Sequence, residues 1–581
     1  MSGPSQHPSP FDPVPPGGPE SRRSTRAGAS GTGFRKRKRN WFVAGGVAVA
    51  LGLGGTAGVQ LLAQYGEDGG SPAASSRASG SPSASHPATT PSALKTVTAA
   101  NAYRQPGPPA GSPMNPVEPF TVSISPDATG ARLDKGLVGL SLELTDLALP
   151  SLSKDNTGLV ELLKSLNGPM LRFGGNSVER RAFWTSSGEA LPSWVKGDST
   201  HPTAKVTPED LRRVKGLLDA SDSTAAIVVD LAHLEPERAA DFVKTAQDVF
   251  GPRFLGYTPG NEPNGYEANG MRPKGWGEAG YLQDARSYAD AIAKAAPEVP
   301  VIGPGTYSMT WGRGFAAAEF PEKKIYSFHH YPFSSCNGAD PAGKPTYANL
   351  LSRSNRDGGI GFRQRMMAAA TENKLPVWIT EAGTSACPGY QNETNKSHAS
   401  ALWSIDYALS SGALGVQRLG FHSSLAACKG GPSMSSVCNT GTMSAPSGDF
   451  LTRANFWGEA FVAQLPAGEF LKLNADGDRL SYAYAIRQGA DQLTVVIINT
   501  NDPQRAAQSK VTVSLPFPAS RGTMAQLQGP SYASDNATVI DGKKAVAIPE
   551  SRRPGIPGFG GGDTVSLPLT AGTATVLTFH R

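Results

Sequence analysis

Charge is scarce in this chain. Only 18% of its 581 residues are Asp, Glu, Lys or Arg, against about a quarter in ordinary soluble domains. The net charge of +6 is equally uninformative about the chain as a whole. Eight basic residues (Arg22, Arg23, Arg26, Arg35, Lys36, Arg37, Lys38 and Arg39) and two acids (Asp12, Glu20) account for all of it within the first forty positions. The remaining residues balance, so a nucleic-acid partner, which would need a basic face on a folded domain, is set aside. Cysteine is rare too: four residues (Cys336, Cys387, Cys428, Cys438) without a Cys-x-x-Cys pair or a His/Cys ligand spacing. That argues against a structural zinc site, and no other metal or cofactor is indicated. A glycine-rich phosphate loop after an early strand is missing, which counts against a dinucleotide fold.

Glycine (67) and proline (48) are abundant instead, and they cluster. Residues 1–40 are expected to be a disordered basic cytoplasmic tail. Residues 41–65 carry no charge and are long enough to cross a bilayer as a helix. The basic cluster before them predicts a cytoplasmic N-terminus. A cleaved signal peptide is the alternative, although its apolar region would be shorter. Residues 66–118 form a Pro/Ser/Gly/Ala-rich linker, expected to be disordered. Either way the rest of the chain is placed outside the cytoplasm: at the cell membrane as a single-pass protein, or secreted if the segment is cleaved. All four cysteines then lie in an oxidising compartment, which favours disulfides. Three pairings are open; Cys336–Cys387 and Cys428–Cys438 are preferred, the second because it closes a short local loop.

From residue 119 to 465, short apolar β-rich runs alternate with helical stretches. Eight candidate strands fall at 136–144, 170–175, 225–232, 253–260, 299–305, 324–331, 376–383 and 415–423. Eight parallel strands with intervening helices predict a (β/α)8 TIM barrel. From 466 to 581 the helical pattern stops, and alternating runs predict a C-terminal all-β sandwich domain. The run at 120–126 is a candidate to pair with the first barrel strand.

Barrel chemistry sits at the C-terminal ends of strands. Strand four ends in Gly260-Asn261-Glu262-Pro263, and strand seven carries Thr380-Glu381-Ala382-Gly383. Two carboxyl groups facing each other across a barrel are what hydrolysis of a glycosidic bond needs. Asn261 is suited to a sugar 2-hydroxyl, and Pro263 stiffens the loop. Asn176, after the Gly-Gly of strand two, and Tyr266 and His422 are further candidates for sugar contact. Strand alternation puts His329 and Tyr331 on one face and His330 on the other.

The segments LRFGGNSVERRAFW (171–184), GNEPNGY (260–266), HHYP (329–332), TEAGTSACPG (380–389) and GVQRLGFHSS (415–424) resemble the retaining glycoside hydrolases of clan A, and within them the heparanase-like family 79. The resemblance covers residues 120–581. It implies that Glu262 is the acid/base and Glu381 the nucleophile of a double displacement, and that Tyr331 hydrogen-bonds the nucleophile. It also implies an oligosaccharide or glycoconjugate substrate, with β-glucuronides among the candidates. This chain departs from the pattern in two places. Asn264 follows Asn-Glu-Pro where many relatives have Asp, and no tyrosine occurs between Tyr407 and Tyr482, where glucuronidase members are expected to recognise the uronate. A β-glycosidase of other specificity (xyloside, glucoside, arabinoside) and a non-catalytic carbohydrate-binding wall protein are the alternative readings.

Overall fold

The computed structural model describes residues 113–334, 340–386, 394–429, 431–432, 434–443, 445–534, 539–540 and 550–581. The expected cytoplasmic tail, membrane span and most of the linker, together with Cys336 and Cys387, lie outside these residues. Among the described residues no helix is long and apolar enough to cross a membrane.

Eight parallel strands close into a barrel. In chain order they are Val138–Glu143, Met170–Gly174, Thr224–Val229, Phe254–Pro259, Val301–Thr306, Lys324–His330, Val377–Ala382 and Val416–His422. These are the eight runs read from the sequence. Most of their residues are buried because the strands are packed on both faces, by the barrel interior and by a ring of helices; Val416–His422 is the least covered, with Gln417 exposed. Sequence signals set the helix ends. Pro208–Ser221 begins with a capping box between Thr207 and Asp210 and with proline in its first turn, and it ends on Asp222 in the left-handed region. His398–Ala413 is capped by Ser397, whose side chain accepts from the Ser400 amide.

The strand Phe120–Leu133 does not pair with the barrel, contrary to the expectation from its position. It runs antiparallel to Gly468–Gly477 and parallel to Ser509–Ala519. In doing so it joins the two halves of the β domain into one nine-stranded sheet, where two separate sheets of a sandwich were expected. The single sheet folds over a shared core of Phe120, Val122, Leu493, Val495, Val511, Val513 and Phe579, among others. The linker also ends earlier than the composition suggests: Asn115 already pairs with the β domain, donating to the Arg505 carbonyl at 2.6 Å and accepting from Ala507 at 2.8 Å.

Half of this sheet is buried on both faces. In Gln492–Asn499, Leu493, Val495 and Ile497 face the β-domain core, whereas Val496 and Ile498 join the core of the barrel. In Thr573–His580, Leu577 and Phe579 alternate with Ala574 and Val576 in the same way. The period-2 alternation of a strand thus serves two cores at once. Arg356, on the helix Arg353–Glu372, adds a polar clasp, bonded to Asp406 at 2.8 Å and to the Tyr484 hydroxyl of the sheet at 3.0 Å.

Candidate active site

The C-terminal end of barrel strand seven carries Glu381, 7% exposed. Three other strands of the barrel supply its surroundings. From strand two, the Arg172 guanidinium donates to Oε2 at 2.9 Å. The Tyr331 hydroxyl, just past strand six, donates to Oε1 at 2.8 Å. His422, at the end of strand eight, brings Nδ1 to 3.6 Å of Oε1. Burial acts to raise the Glu381 pKa, but the charges of His422, His329 and Arg172 and the Tyr331 hydrogen bond outweigh it and hold the carboxyl at about 2. Glu381 is therefore a carboxylate at any ordinary pH, with its charge delivered to a site from which water is largely excluded.

Glu262 approaches from strand four. Its side chain is 20% exposed, and Oε1 lies 2.9 Å from Nδ1 of the fully buried His329. One oxygen of Glu262, one of Glu381 and a ring nitrogen of His329 all fall within 4.8 Å of one another. Three such ligand atoms could in principle hold a divalent ion. The Glu381 oxygens, however, are already engaged by Arg172 and Tyr331, and a buried guanidinium cation at 2.9 Å repels a metal ion. The donor set fits carboxyl chemistry better than metal binding.

The turn that presents Glu262 is strained. Glu262 has φ +47° and ψ 53°, a left-handed conformation that costs a non-glycine residue about 1–3 kcal/mol and persists only when its surroundings over-determine it. The surroundings do so here. The Glu262 amide donates to the Gly305 carbonyl at 3.2 Å. Asn261 Oδ1 accepts from the other terminal nitrogen of Arg172 at 2.8 Å, while the Asn261 amide donates to Glu179 at 2.8 Å. Gly260, at φ +81°, has no room for a side chain: a Cβ there would stand 2.6 Å from the Tyr266 hydroxyl.

The structure places the other expected residues as follows. Asn261 is buried beside Arg172 and Glu262. Asn176 is exposed on the short turn Gly175–Ser177, after strand two. His422 spans two acids, with Nε2 at 3.9 Å from Glu143 Oε1. Tyr266 is a correction. Expected to touch sugar, it is 2% exposed, bonded to Glu179 and stacked on Trp276 at 5.7 Å, so it supports the turn from behind. His329 and His330 diverge as alternation requires, His330 bonding the Tyr407 hydroxyl at 3.0 Å on the outer face. Cys428 and Cys438 form the expected disulfide.

Sequence reading passed over Arg172, Glu143 and Glu179. Arg172 had a signal: it is the one charge in an otherwise apolar strand, Met-Leu-Arg-Phe-Gly, and a buried arginine needs acidic partners. It is 1% exposed and also donates to Ser141 at 2.8 Å. The two glutamates had none, because an acid after a strand is ordinarily solvated.

No family model and no curated protein sequence matches the chain. Solved structures do match. A 4-O-α-L-rhamnosyl-β-D-glucuronidase from Fusarium oxysporum 12S superposes with a TM-score of 0.57 at 17% identity, covering 78% of this chain and 100% of its own. An α-L-arabinofuranosidase from Thermotoga maritima superposes with 0.57 at 11% identity, covering 80% and 100%. CelM2, a bifunctional glucanase-xylanase from a metagenome library, superposes with 0.51 at 14% identity, also covering 80% and 100%. These likenesses define the class of fold, a (β/α)8 barrel carrying a β domain.

Proposed function

We propose that this protein is a retaining β-glycosidase of clan A type. The observation that carries the reading is the pair of carboxyl groups: oxygens of Glu262 and Glu381 within 4.8 Å, on strands four and seven of one barrel. Retaining enzymes hold the two groups about 5–5.5 Å apart, and inverting ones about 6.5–9.5 Å. In the first step Glu381 attacks the anomeric carbon while Glu262 gives its proton to the departing oxygen. A glycosyl ester on Glu381 results. Glu262, now a carboxylate, then takes a proton from water, which attacks the same carbon and releases Glu381. His329 contacts the acid/base throughout, and Arg172 and Tyr331 keep the nucleophile ionised and aimed. The same pair makes a non-catalytic binding protein the weaker reading.

The heparanase-like family is the resemblance we carry forward, and β-glucuronides are the first substrates to try. A neutral glycoside is the second reading. It is favoured by the end of strand eight, where His422 stands between Glu381 and Glu143 and no tyrosine follows in the loop. We further propose that residues 41–65 anchor the protein in the membrane with the barrel outside the cytoplasm. The Cys428–Cys438 bond is in keeping with that compartment, and membrane fractionation with protease access to the barrel tests it.

The activity is tested by incubating the full-length protein, Glu381→Ala and Glu262→Ala with a panel of aryl β-glycosides, glucuronide included. Turnover by the parent that Glu381→Ala abolishes is expected. A folded parent that binds oligosaccharides without cleaving any glycoside would overturn the reading in favour of a binding protein.

A further inference from the structure

Glu179 lies in the turn after barrel strand two, 5% exposed. Its side chain bonds to Asn261 and Tyr266 rather than to Glu262 or Glu381. Burial, together with the charge of Asp230, raises its carboxyl to about 8, against the opposing pull of its own hydrogen bonds. A fold that buries an acid so unfavourably needs a reason, and its contacts supply one. A single oxygen, Oε1, accepts both the Asn261 amide at 2.8 Å and the Tyr266 hydroxyl. Asn261 immediately precedes Glu262, whose backbone is in the left-handed region. Tyr266 closes the other end of the same turn: its amide bonds the Pro263 carbonyl at 3.1 Å, and its carbonyl accepts from Met271 at 2.9 Å. One buried oxygen atom thus ties the residue before the acid/base to the residue four positions after it.

We propose that Glu179 is a positioning residue that holds the acid/base turn in its strained conformation and so aims Glu262 at the leaving-group oxygen. This rests on the glycosidase reading. Glu179 touches no reacting atom; it acts through the Asn261 peptide. Both bonds to Oε1 need only an acceptor, so an amide oxygen serves as well as that of a carboxylic acid. Glutamine should therefore replace Glu179, and alanine should not. Without the tie, the turn relaxes and Glu262 loses its aim, while Glu381, held separately by Arg172 and Tyr331, keeps its own.

The test compares full-length parent, Glu179→Ala, Glu179→Gln and Tyr266→Phe on one aryl β-glycoside with two leaving groups, phenol and 2,4-dinitrophenol. Phenol needs protonation to depart; dinitrophenol does not. Glu179→Ala should lose about 10²-fold in kcat/KM on the phenyl glycoside, in the range general acid catalysis supplies. On the dinitrophenyl glycoside the loss in kcat/KM should be much smaller, and the accompanying fall in kcat, which reports the slowed second step, should be recovered by added azide, which replaces the water that Glu262 would activate. Glu179→Gln should match the parent, and Tyr266→Phe should show the alanine pattern more weakly. Equal losses on both leaving groups without an azide response, or no loss at all, would overturn the proposal. If Glu179→Ala does not fold, the Gln and Phe variants decide by the same pattern. A parent silent on every glycoside would instead sink the glycosidase reading. Amide exchange over residues 259–266 would then judge the tie alone, with faster exchange in the alanine variant and not in the glutamine variant supporting it, and equal exchange overturning it.

Discussion

At the mouth of the barrel, Arg172, Glu179, His329 and Glu381 are each less than a tenth exposed. Where the β domain meets the barrel, the equally buried residues are Val496, Ile498, Ala574 and Val576. The two regions are packed to the same degree with opposite chemistry. Apolar burial at the interface stabilises the fold by about 25 cal/mol per Å². Ionic burial at the mouth brings little net stability, because desolvation cancels much of the attraction between charges. The mouth also holds Glu262 in a left-handed backbone conformation. Stability made along the sheet thus supports a rim of strained and charged residues at the strand ends.

The comparison can be broken at either side. Glu381→Ala should abolish turnover and also lower the melting temperature, because it leaves the Arg172 guanidinium buried without its acidic partner; a melting temperature kept or raised would show that Ser141 and Asn261 suffice to hold that charge. Arg172→Met should lower kcat by about 10²–10³-fold, the range for a preorganised charge partner. It should also move the acid limb of kcat/KM to higher pH. The sign follows from Glu381: Arg172 helps to hold it near 2, so without the guanidinium the carboxylate protonates at a higher pH and activity is lost sooner on acidification. Ile498→Ala should cost about 2–5 kcal/mol of stability and, unlike the variants at the mouth, leave kcat per folded molecule unchanged. Chemical denaturation beside active-site titration would check both halves of that statement.

The smallest effect concerns Glu459, a buried acid on the helix Ala454–Ala463. Burial raises it from 4.5 to about 8, with a Ser436 hydrogen bond acting the other way. Its folded pKa exceeds its unfolded one, so between about 4.5 and 8 the folded protein keeps a proton that the unfolded chain releases. Stability from this group is full below 4.5 and is lost as pH rises to 8. Glu459→Gln should flatten the decline of melting temperature over that interval, and an unchanged slope would show that Glu459 is not its source.

Much of this contrast was legible in the sequence, and the exceptions are instructive. The eight barrel strands stood out because strands covered on both faces become near-continuous apolar runs. Tyr331 was placed against Glu381 by combining resemblance with strand alternation, and Glu262 by its Asn-Glu-Pro setting. The strand at residue 120 was recognisable as a strand, yet alternation says which face is buried and not which partner lies beside it. Its pairing with Ser509–Ala519 spans nearly four hundred residues. Tyr266 was drawn to the substrate by its place in the motif, but a motif fixes sequence distance and not the direction of a side chain. Glu179 and Glu143 gave no signal, since burial alone separates them from ordinary surface acids.

The most direct test of the two-glutamate account is the configuration of the first sugar released, followed by proton NMR while the full-length protein hydrolyses an aryl β-glycoside. Double displacement through Glu381 requires the β-anomer to appear first and the α-anomer only later, by mutarotation. Initial release of the α-anomer would contradict the nucleophilic role of Glu381 and the geometry read from the two carboxyl groups.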